Sequence, residues 1–195
     1  MLISLKSLID ELKEDRELRP LLSSFVCSQD KDIENFLHNR SIEFERLSKS
    51  RTYLIFDSEE FATKKITELT IYGYISLALK ILTVPASVSN RVRKELDGFN
   101  AKVRGQIINN FPCYLIGQLS RNSNVSSDSL SGKMLIEFAE DVVTAAVNAV
   151  GGRYMLIECR DSQKLIDFYS SNEFKEISRC SYDGQAMVQM IKKIC

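Results

Sequence analysis

The chain has 195 residues, which is long enough for one domain with a full core. Its 26 basic residues balance its 26 acidic residues, so the net charge gives no bulk attraction to nucleic acids or membranes. Five cysteines without a C-x-x-C pair and a single histidine argue against a disulfide framework, a zinc site and a multi-histidine metal site. No apolar run reaches the roughly 20 residues that span a bilayer. We therefore expect a soluble cytoplasmic protein.

The first half of the chain predicts helices followed by a β-hairpin. Leucines and isoleucines at helical spacing predict an N-terminal helix, which Pro20 interrupts. Short helical segments follow, and Asn39-Arg40 is expected to break them. β-branched and aromatic residues then predict strands at 52–56 and 71–79, joined by a polar turn and paired antiparallel.

The second half predicts alternating strands and helices. The predicted elements are a helix at 89–96, an irregular segment at 100–110, strands at 113–119 and 154–159, helices at 130–150 and 162–169, and a strand at 186–191. Pro112 opens the first of these strands, where a missing N–H is tolerated. A strand–helix–strand unit needs a crossover, which favours a parallel pair. The order predicts an α/β fold with a mixed, mostly antiparallel sheet flanked by helices.

Two local features could bind a ligand. Five cations lie close together in sequence: Arg91, Arg93, Lys94, Lys102 and Arg104. They could form a basic patch, although a solvated face is the simpler interpretation. The serine-rich loop that enters the long helix, residues 126–132, is the second feature. The first residues of a helix have unpaired N–H groups at the positive end of its dipole, where a phosphate can bind, but most such loops only cap the helix.

Three segments resemble the GNAT superfamily of acyl-CoA-dependent N-acyltransferases. They are Gly117-Gln118-Leu119, the run from Ser129 to Leu135, and the run from Phe168 to Phe174. The early part of the chain, from Phe25 to Leu54, is also similar to GNAT proteins related to toxin–antitoxin acetyltransferases. The resemblance covers most of residues 24–191 and implies the GNAT fold. It predicts residues 1–19 as an N-terminal helical extension and 20–195 as a single GNAT-like domain.

The resemblance implies an acetyl-CoA site made of a strand and the loop that follows it. The strand would offer backbone groups to the pantetheine arm, and the loop would wrap the pyrophosphate. The implied cofactor-binding residues are Leu115, Ile116, Gly117, Gln118, Leu119, Ser127, Ser129, Leu130, Ser131, Gly132 and Lys133. The loop departs from the family pattern Q/R-x-x-G-x-G/A, because Ser127 replaces the long polar residue and Leu130 replaces the first glycine.

Tyr169 is the catalytic residue that the resemblance implies. In the family, a tyrosine at this place lies near the thioester sulfur and can protonate the departing CoA thiolate; a phenol keeps its proton at neutral pH. The alternative is that Phe168 and Tyr169 only pack on the sheet. Glu173 stands where the family has glycine. No general base can be named: Glu158, within an apolar strand, either faces the substrate cleft or points outward.

The resemblance thus implies transfer of an acetyl group from acetyl-CoA to a primary amine by direct attack in a ternary complex. Acetyl-CoA is the expected cosubstrate, with no metal and no membrane partner. The acceptor could be a small molecule or a macromolecule, and a homodimer is left open. One alternative is a GNAT-fold binding or regulatory module that has lost turnover. A weaker alternative is a toxin that acetylates aminoacyl-tRNA, the one case in which we expect a nucleic-acid partner.

Overall fold

A computed structural model of the protein describes residues 1–12 and 15–194. Within this part of the chain, the strands form a seven-stranded sheet and a separate two-stranded hairpin. The strands are β1 Leu2–Ser4, β2 Arg51–Ile55, β3 Gly73–Thr83, β4 Lys102–Val103, β5 Gln106–Ile107, β6 Asn110–Arg121, β7 Tyr154–Arg160, β8 Lys175–Tyr182 and β9 Gln185–Lys193.

The helices are α1 Leu5–Leu12, α2 Asp15–Ser23, α3 Lys31–Asn35, α4 Ser41–Arg46, α5 Ser58–Thr63, α6 Asn90–Asp97, α7 Gly132–Val150 and α8 Gln163–Ser171. A π-helical turn, Phe36–Arg40, joins α3 to α4, and a 3₁₀ turn, Ile66–Glu68, follows α5. The strand order in the large sheet is β1-β2-β3-β6-β7-β9-β8. The pairs β1–β2, β2–β3, β7–β9 and β8–β9 are antiparallel. The predicted class, a mixed sheet flanked by helices, is confirmed.

The chain forms two compact units, described separately below. The first contains residues 1–78 and 116–142, and the second contains the described residues of 79–115 and 143–195. The long elements β3, β6 and α7 each contribute residues to both units.

The core of the first unit is built mainly from the helices at the N-terminus. Leu5 and Leu8 of α1 are fully buried with Leu54 of β2 and Tyr74 of β3. β1 also pairs with β2, so the chain enters the sheet before its first helix, where the sequence predicts only helix. Residues 1–12 therefore share a core with the first unit, while a domain division at residue 20 stays a prediction.

The second unit has its own core under helix α6. Leu82 of β3, Phe111 and Cys113 of β6, and Leu156 of β7 are buried there together with Leu96 of α6. This face of the sheet is apolar where α6 covers it. This agrees with strands whose side chains point alternately to a face covered by a helix and to an open face.

Two predicted helix breaks are wrong, because tertiary packing and a local bulge maintain the helices. Pro20 lies inside α2, where a proline costs about 3 kcal/mol. Leu18, Leu21 and Leu22 of the same helix are almost fully buried, and each buried leucine returns about 1.5–3 kcal/mol. At Asn39-Arg40 the chain forms the π-helical turn, which accommodates one extra residue without ending the helix.

Besides β1, three structures are absent from the sequence prediction. Helix α5 lies within the predicted turn, and Asp57 caps it by accepting hydrogen bonds from the N–H groups of Glu59 (2.9 Å) and Glu60 (3.0 Å). The hairpin β4–β5 lies in the segment predicted as irregular. Strand β8 is exposed over most of its length and shifts register against β9 between Glu176 and Ser178, so it lacks the alternation that identifies a strand.

Candidate active site

The loop from Asn122 to Ser131 has a well-defined fold within the first unit. Asn122 is buried; its side-chain amide donates to the carbonyl of Ile71 (2.9 Å), and its own N–H donates to the carbonyl of Tyr72 (2.8 Å). The N–H groups of Ser129 and Leu130 both donate to the carbonyl of Ser126 at 3.2 Å. The loop is thus held at both ends by hydrogen bonds of its own backbone and of Asn122.

Three N–H groups at the start of α7, from its capping residue Ser131 and its first two residues, have no acceptor among the described residues. Ser131 caps the helix by accepting a 3.2 Å hydrogen bond from the N–H of Met134 at its hydroxyl. No described residue accepts a hydrogen bond from the N–H of Ser131, Gly132 or Lys133. These three donors lie at the positive end of a 19-residue helix, which is the arrangement that binds phosphate groups.

Leu130, which replaces the family's first glycine, does not adopt a glycine conformation. Among the described non-glycine residues, only Ser48, Arg104, Glu173 and Asp183 have a positive φ. The Leu130 side chain is 2% exposed and lies directly over a glycine of β3: a methyl group added at Gly73 would lie 2.6 Å from Leu130 Cδ2. The backbone at this position therefore does not require glycine, and Leu130 is part of the core.

The predicted strand residues are divided between the units. Leu115 belongs to the second unit, and residues 116–119 belong to the first. Ile116 is buried, whereas Gly117 is exposed. A Cβ added at Gly117 would meet only the carbonyl oxygen of Ser76, at 3.7 Å, which is an ordinary contact. No neighbouring protein atom therefore requires glycine at position 117, and space remains beside the backbone of this strand.

Tyr169 lies in the second unit, in the last turn of α8, and the end of the helix fixes its position. The N–H of Phe174 donates to the carbonyl of Tyr169 (3.0 Å), and the N–H of Glu173 donates to the carbonyl of Ser170 (3.1 Å). These two bonds define a Schellman motif, which usually brings together the side chains at its two ends. Here the rings of Tyr169 and Phe174 contact edge-to-face, with centroids 5.7 Å apart.

The ring of Tyr169 is buried, but its hydroxyl is not paired. The residue is 7% exposed and also contacts Phe168 edge-to-face at 5.0 Å. Burial raises its pKa well above that of a free tyrosine, so the phenol stays protonated. Within residues 1–12 and 15–194 the hydroxyl forms no hydrogen bond, and only Ser50 Oγ is both fully covered and without a partner. The Tyr169 hydroxyl therefore keeps access to solvent or to a ligand.

Glu173, which replaces the other family glycine, keeps the glycine conformation. Its φ is +68°, in the left-handed region where side chains other than those of glycine and asparagine are strained. Its carboxylate lies 3.0 Å from Lys192 Nζ, but the glutamate side chain is largely exposed, so this ion pair contributes little. The backbone beside Tyr169 thus has a conformation that favours glycine, although the residue is glutamate.

Glu158 belongs to a polar network of the second unit. Lys80 Nζ donates to Glu158 Oε2 at 2.5 Å, and Gln189 Nε2 donates to Glu158 Oε1 at 2.8 Å. The hydroxyl of Ser178 donates in turn to Gln189 Oε1 at 2.5 Å. Both carboxylate oxygens therefore have partners. The sequence prediction missed Lys80; the one available signal is a single charged residue within an otherwise apolar strand.

The other candidate side chains have structural partners. The ring of His38 donates from Nε2 to the carbonyl of Phe25 at 2.8 Å. Burial raises the pKa of Cys113 to about 11 and also raises that of Cys159, so both thiols stay protonated. In the described part of the chain, no group of His, Cys, Asp and Glu side chains is arranged to hold a metal. None of its helices is both long and apolar enough to cross a membrane.

Several solved structures share this fold along almost the whole chain. The structure of AtaTR bound with acetyl-CoA matches with a TM-score of 0.67 at 20% identity, over 100% of this chain and 93% of that one. A tyrosine-to-phenylalanine variant of KacT gives a TM-score of 0.64 at 16% identity, over 89% and 87%. AtaT complexed with acetyl-methionyl-tRNAfMet gives 0.62 at 20%, over 86% and 85%.

The sequence on its own is more distant from known proteins. No protein-family model matches it, and no curated protein sequence matches it. The structural similarity nevertheless confirms the predicted fold: this chain has the fold of the GNAT acetyltransferases, like the toxins AtaT and KacT.

Proposed function

We propose that this protein is a GNAT N-acetyltransferase that moves an acetyl group from acetyl-CoA to a primary amine by direct attack in a ternary complex. The observation that carries the proposal is the Tyr169 hydroxyl, which is unpaired although its ring is buried at a defined helix end. The hydroxyl is not fully covered, so it needs no protein partner and stays open to a ligand. On an acetyltransferase fold, such a phenol is available to donate its proton to a bound substrate.

The pyrophosphate of acetyl-CoA would bind at the start of α7. The free N–H groups of Ser131, Gly132 and Lys133 match an anionic diphosphate in both charge and donor count. Leu130 does not interfere, because its side chain is directed into the core over Gly73. Ser127 and Ser129 are exposed and would add hydroxyl donors. The strand residues Leu115 to Leu119 would hold the pantetheine arm through their backbone.

The chemistry requires one proton donor and no protein base. The amine nitrogen attacks the thioester carbon, the carbon–sulfur bond breaks, and the CoA thiolate leaves. Tyr169 would donate its proton to that thiolate and recover a proton from solvent. The attacking amine would lose its proton to water. We do not assign Glu158 as the base, because Lys80 and Gln189 already donate hydrogen bonds to its two carboxylate oxygens.

The amine of an aminoacyl-tRNA is the second candidate acceptor. AtaT, which shares the fold, has been solved with acetyl-methionyl-tRNAfMet. The second unit has exposed cations at Arg91, Lys94, Lys102 and Arg104, which would suit a polyanionic acceptor. Arg93, which the sequence interpretation groups with them on a solvated face, is instead 1% exposed and donates to backbone carbonyls.

The experiment measures release of the CoA thiol from acetyl-CoA with a panel of primary amines that includes aminoacyl-tRNA. We expect Tyr169→Phe to lower kcat by about 100-fold or more and to leave acetyl-CoA affinity within a few-fold. Because burial raises the pKa of Tyr169, wild-type turnover should not fall through phenol ionisation below about pH 10.

The matched control is Tyr114→Phe, which removes a hydroxyl of the same unit that donates to the carbonyl of Gly151 (2.5 Å). It should keep wild-type turnover. Equal activity of Tyr169→Phe and wild type would remove the acid role of Tyr169. Acetyl-CoA binding without turnover on any amine would favour the module that has lost catalysis.

A further inference from the structure

A cavity of about 300 Å³ lies in the second unit, and every residue that lines it belongs to that unit. Its walls are the end of α6, the start of β6 and the residues that lead from α7 into β7. Its charged residues are Asp97 and Arg153. Four apolar or aromatic residues line it as well: Leu96, Phe111, Pro112 and Tyr154. The volume is that of a site for a small molecule, and none of the residues assigned to acetyl transfer lines it.

One edge of the Arg153 guanidinium is fixed against the end of α6. Its Nη1 donates to the carbonyls of Glu95 (3.2 Å) and Leu96 (2.9 Å). The guanidinium carbon also lies 5.4 Å from the centroid of the Tyr154 ring, a cation–π contact. A Cβ added at Gly98 would collide with Nη1, so this approach of the arginine to the helix end requires glycine there. The guanidinium is therefore held in one position.

The other edge of the guanidinium has no partner. Among the described residues, none accepts a hydrogen bond from Nε or Nη2 of Arg153. These two nitrogens form a fork that binds a carboxylate through two parallel hydrogen bonds. Because Nη1 already fixes the side chain, a carboxylate would bind to it with little further loss of side-chain freedom.

Asp97 brings the opposite charge to the same cavity. Its Oδ2 accepts a hydrogen bond from the N–H of Asn100 at 2.8 Å. In the part of the chain that the structure describes, neither Asp97 nor Arg153 has an ion-pair partner, although both line the cavity. Two opposite charges that share a cavity without pairing can each bind one end of a ligand that carries both charges.

The position of Asp97 favours a cation beside it. Asp97 is the last residue of α6, at the negative end of the helix dipole, where an acidic side chain is disfavoured. An ammonium group bound there would interact favourably with both the carboxylate and the helix end. The site of the acid is thus matched to a positively charged group.

We propose that this cavity binds a free α-amino acid with an apolar side chain. The carboxylate of the ligand would bind to Nε and Nη2 of Arg153, its ammonium would lie beside Asp97, and its side chain would pack on Phe111 and Tyr154. A simple carboxylate would leave Asp97 without a partner, and a simple amine would leave Arg153 without one. The binding does not depend on acetyl transfer, because the two sites share no residue.

The test is titration calorimetry of the full chain with three probes: L-leucine, L-methionine and L-phenylalanine. At least one of them should bind with a Kd of about 1 mM or below. Two analogues of leucine each lack one charge: leucinamide keeps the ammonium, and 4-methylpentanoate keeps the carboxylate. Each should bind about 10-fold more weakly than leucine or worse, because one charged side chain of the cavity then has no partner.

Two variants assign the charges. Asp97→Asn keeps an oxygen for the N–H of Asn100 but removes the charge, so it should weaken leucine by about 10-fold and leave 4-methylpentanoate no weaker. Arg153→Lys keeps a cation at the end of α6 but lacks the fork, so it should weaken leucine by about 10-fold and leave leucinamide within about 2-fold. A loss of fold would weaken all ligands equally, and circular dichroism verifies the fold of each variant.

The control variant is Asp161→Asn, which removes an acid of the same unit that pairs with Arg179 at 2.8 Å, and it should bind leucine as the wild type does. Excess acetyl-CoA should not compete with leucine. The proposal is overturned if none of the three amino acids binds, if 4-methylpentanoate or leucinamide binds as tightly as leucine, if the control loses as much affinity as Asp97→Asn, or if acetyl-CoA competes. A chain that binds leucine but not acetyl-CoA would keep this site and lose the proposed acetyltransferase function.

Discussion

Two positions where the GNAT pattern has glycine are occupied by other residues here, and their backbone conformations differ. At the loop before α7, Leu130 abandons the glycine conformation, and its side chain is buried over Gly73. At the end of α8, Glu173 keeps a φ of +68°, and the helix still ends in a Schellman motif beside Tyr169.

The difference indicates which part of each region must be preserved. A diphosphate needs N–H donors, and the start of α7 supplies them whichever path the preceding loop takes. The catalytic phenol that we propose at Tyr169 would need a fixed position, and the two hydrogen bonds that close α8 supply it. An apolar residue can therefore occupy position 130 without loss of those donors, whereas the helix end has a left-handed residue at Glu173 despite the strain.

Restoring glycine at position 130 should give the largest effect on stability. Leu130→Gly removes a buried side chain and adds backbone freedom to the unfolded chain, so the free energy of unfolding should fall by about 3–5 kcal/mol. Chemical denaturation measures this. If the stability stays at the wild-type level, Leu130 is not a core residue, and the contrast with Glu173 disappears.

The N–H groups of α7 can be tested one at a time. Gly132→Pro removes one donor at the first turn, where proline fits a helix, and should weaken acetyl-CoA binding by about 10-fold or more. Gly132→Ala keeps the donor and serves as the control, since the family pattern accepts alanine there. Titration calorimetry compares the two; indistinguishable affinities would exclude the Gly132 N–H from the pyrophosphate site.

The contact between Leu130 and Gly73 should appear as an energetic coupling. Gly73→Ala places a methyl group 2.6 Å from Leu130 Cδ2 and 2.9 Å from the carbonyl oxygen of Ser120, so we expect a loss of about 1–3 kcal/mol. In the Leu130→Ala background one of these clashes is relieved, and the loss should be smaller. A double-mutant cycle with no coupling would contradict the packing described for the loop.

The smallest effect is expected at Glu173. Glu173→Gly and Glu173→Ala both remove the exposed ion pair with Lys192, but only glycine relieves the positive φ. The glycine variant should therefore be more stable than the alanine variant by about 1 kcal/mol. Thermal unfolding of the two proteins measures the difference, and equal melting temperatures would mean that the helix end is not strained.

The parts of the fold that could be predicted are those with strong local patterns. α7 has a sustained apolar face, and β2, β3 and β7 are compact apolar runs, so their type was clear from the sequence. α2 continues through Pro20 because three leucines around it are buried, which depends on contacts distant in sequence. β8 has an exposed, irregular pattern and gives no local signal.

For the candidate site, the sequence located side chains better than backbone conformations. The resemblance singled out the run from Phe168 to Phe174, and the structure brings Tyr169 and Phe174 of that run into contact through the Schellman motif. A glutamate gives no sequence signal that residue 173 has a positive φ. A leucine at position 130 likewise gives no signal that its side chain is buried in the core. The pairing of Lys80 with Glu158 likewise arises only when distant strands assemble.

The proposed function requires an acetyl-CoA site at the start of α7, beside the loop whose Leu130 is buried in the core. Titration calorimetry of the wild-type chain with acetyl-CoA measures this binding. We expect saturable binding at one site per chain, and free CoA should compete for it because it carries the same pyrophosphate. Absence of binding heat and of competition with acetyl-CoA at millimolar concentration would contradict the claim, and with it the proposed acetyltransferase function.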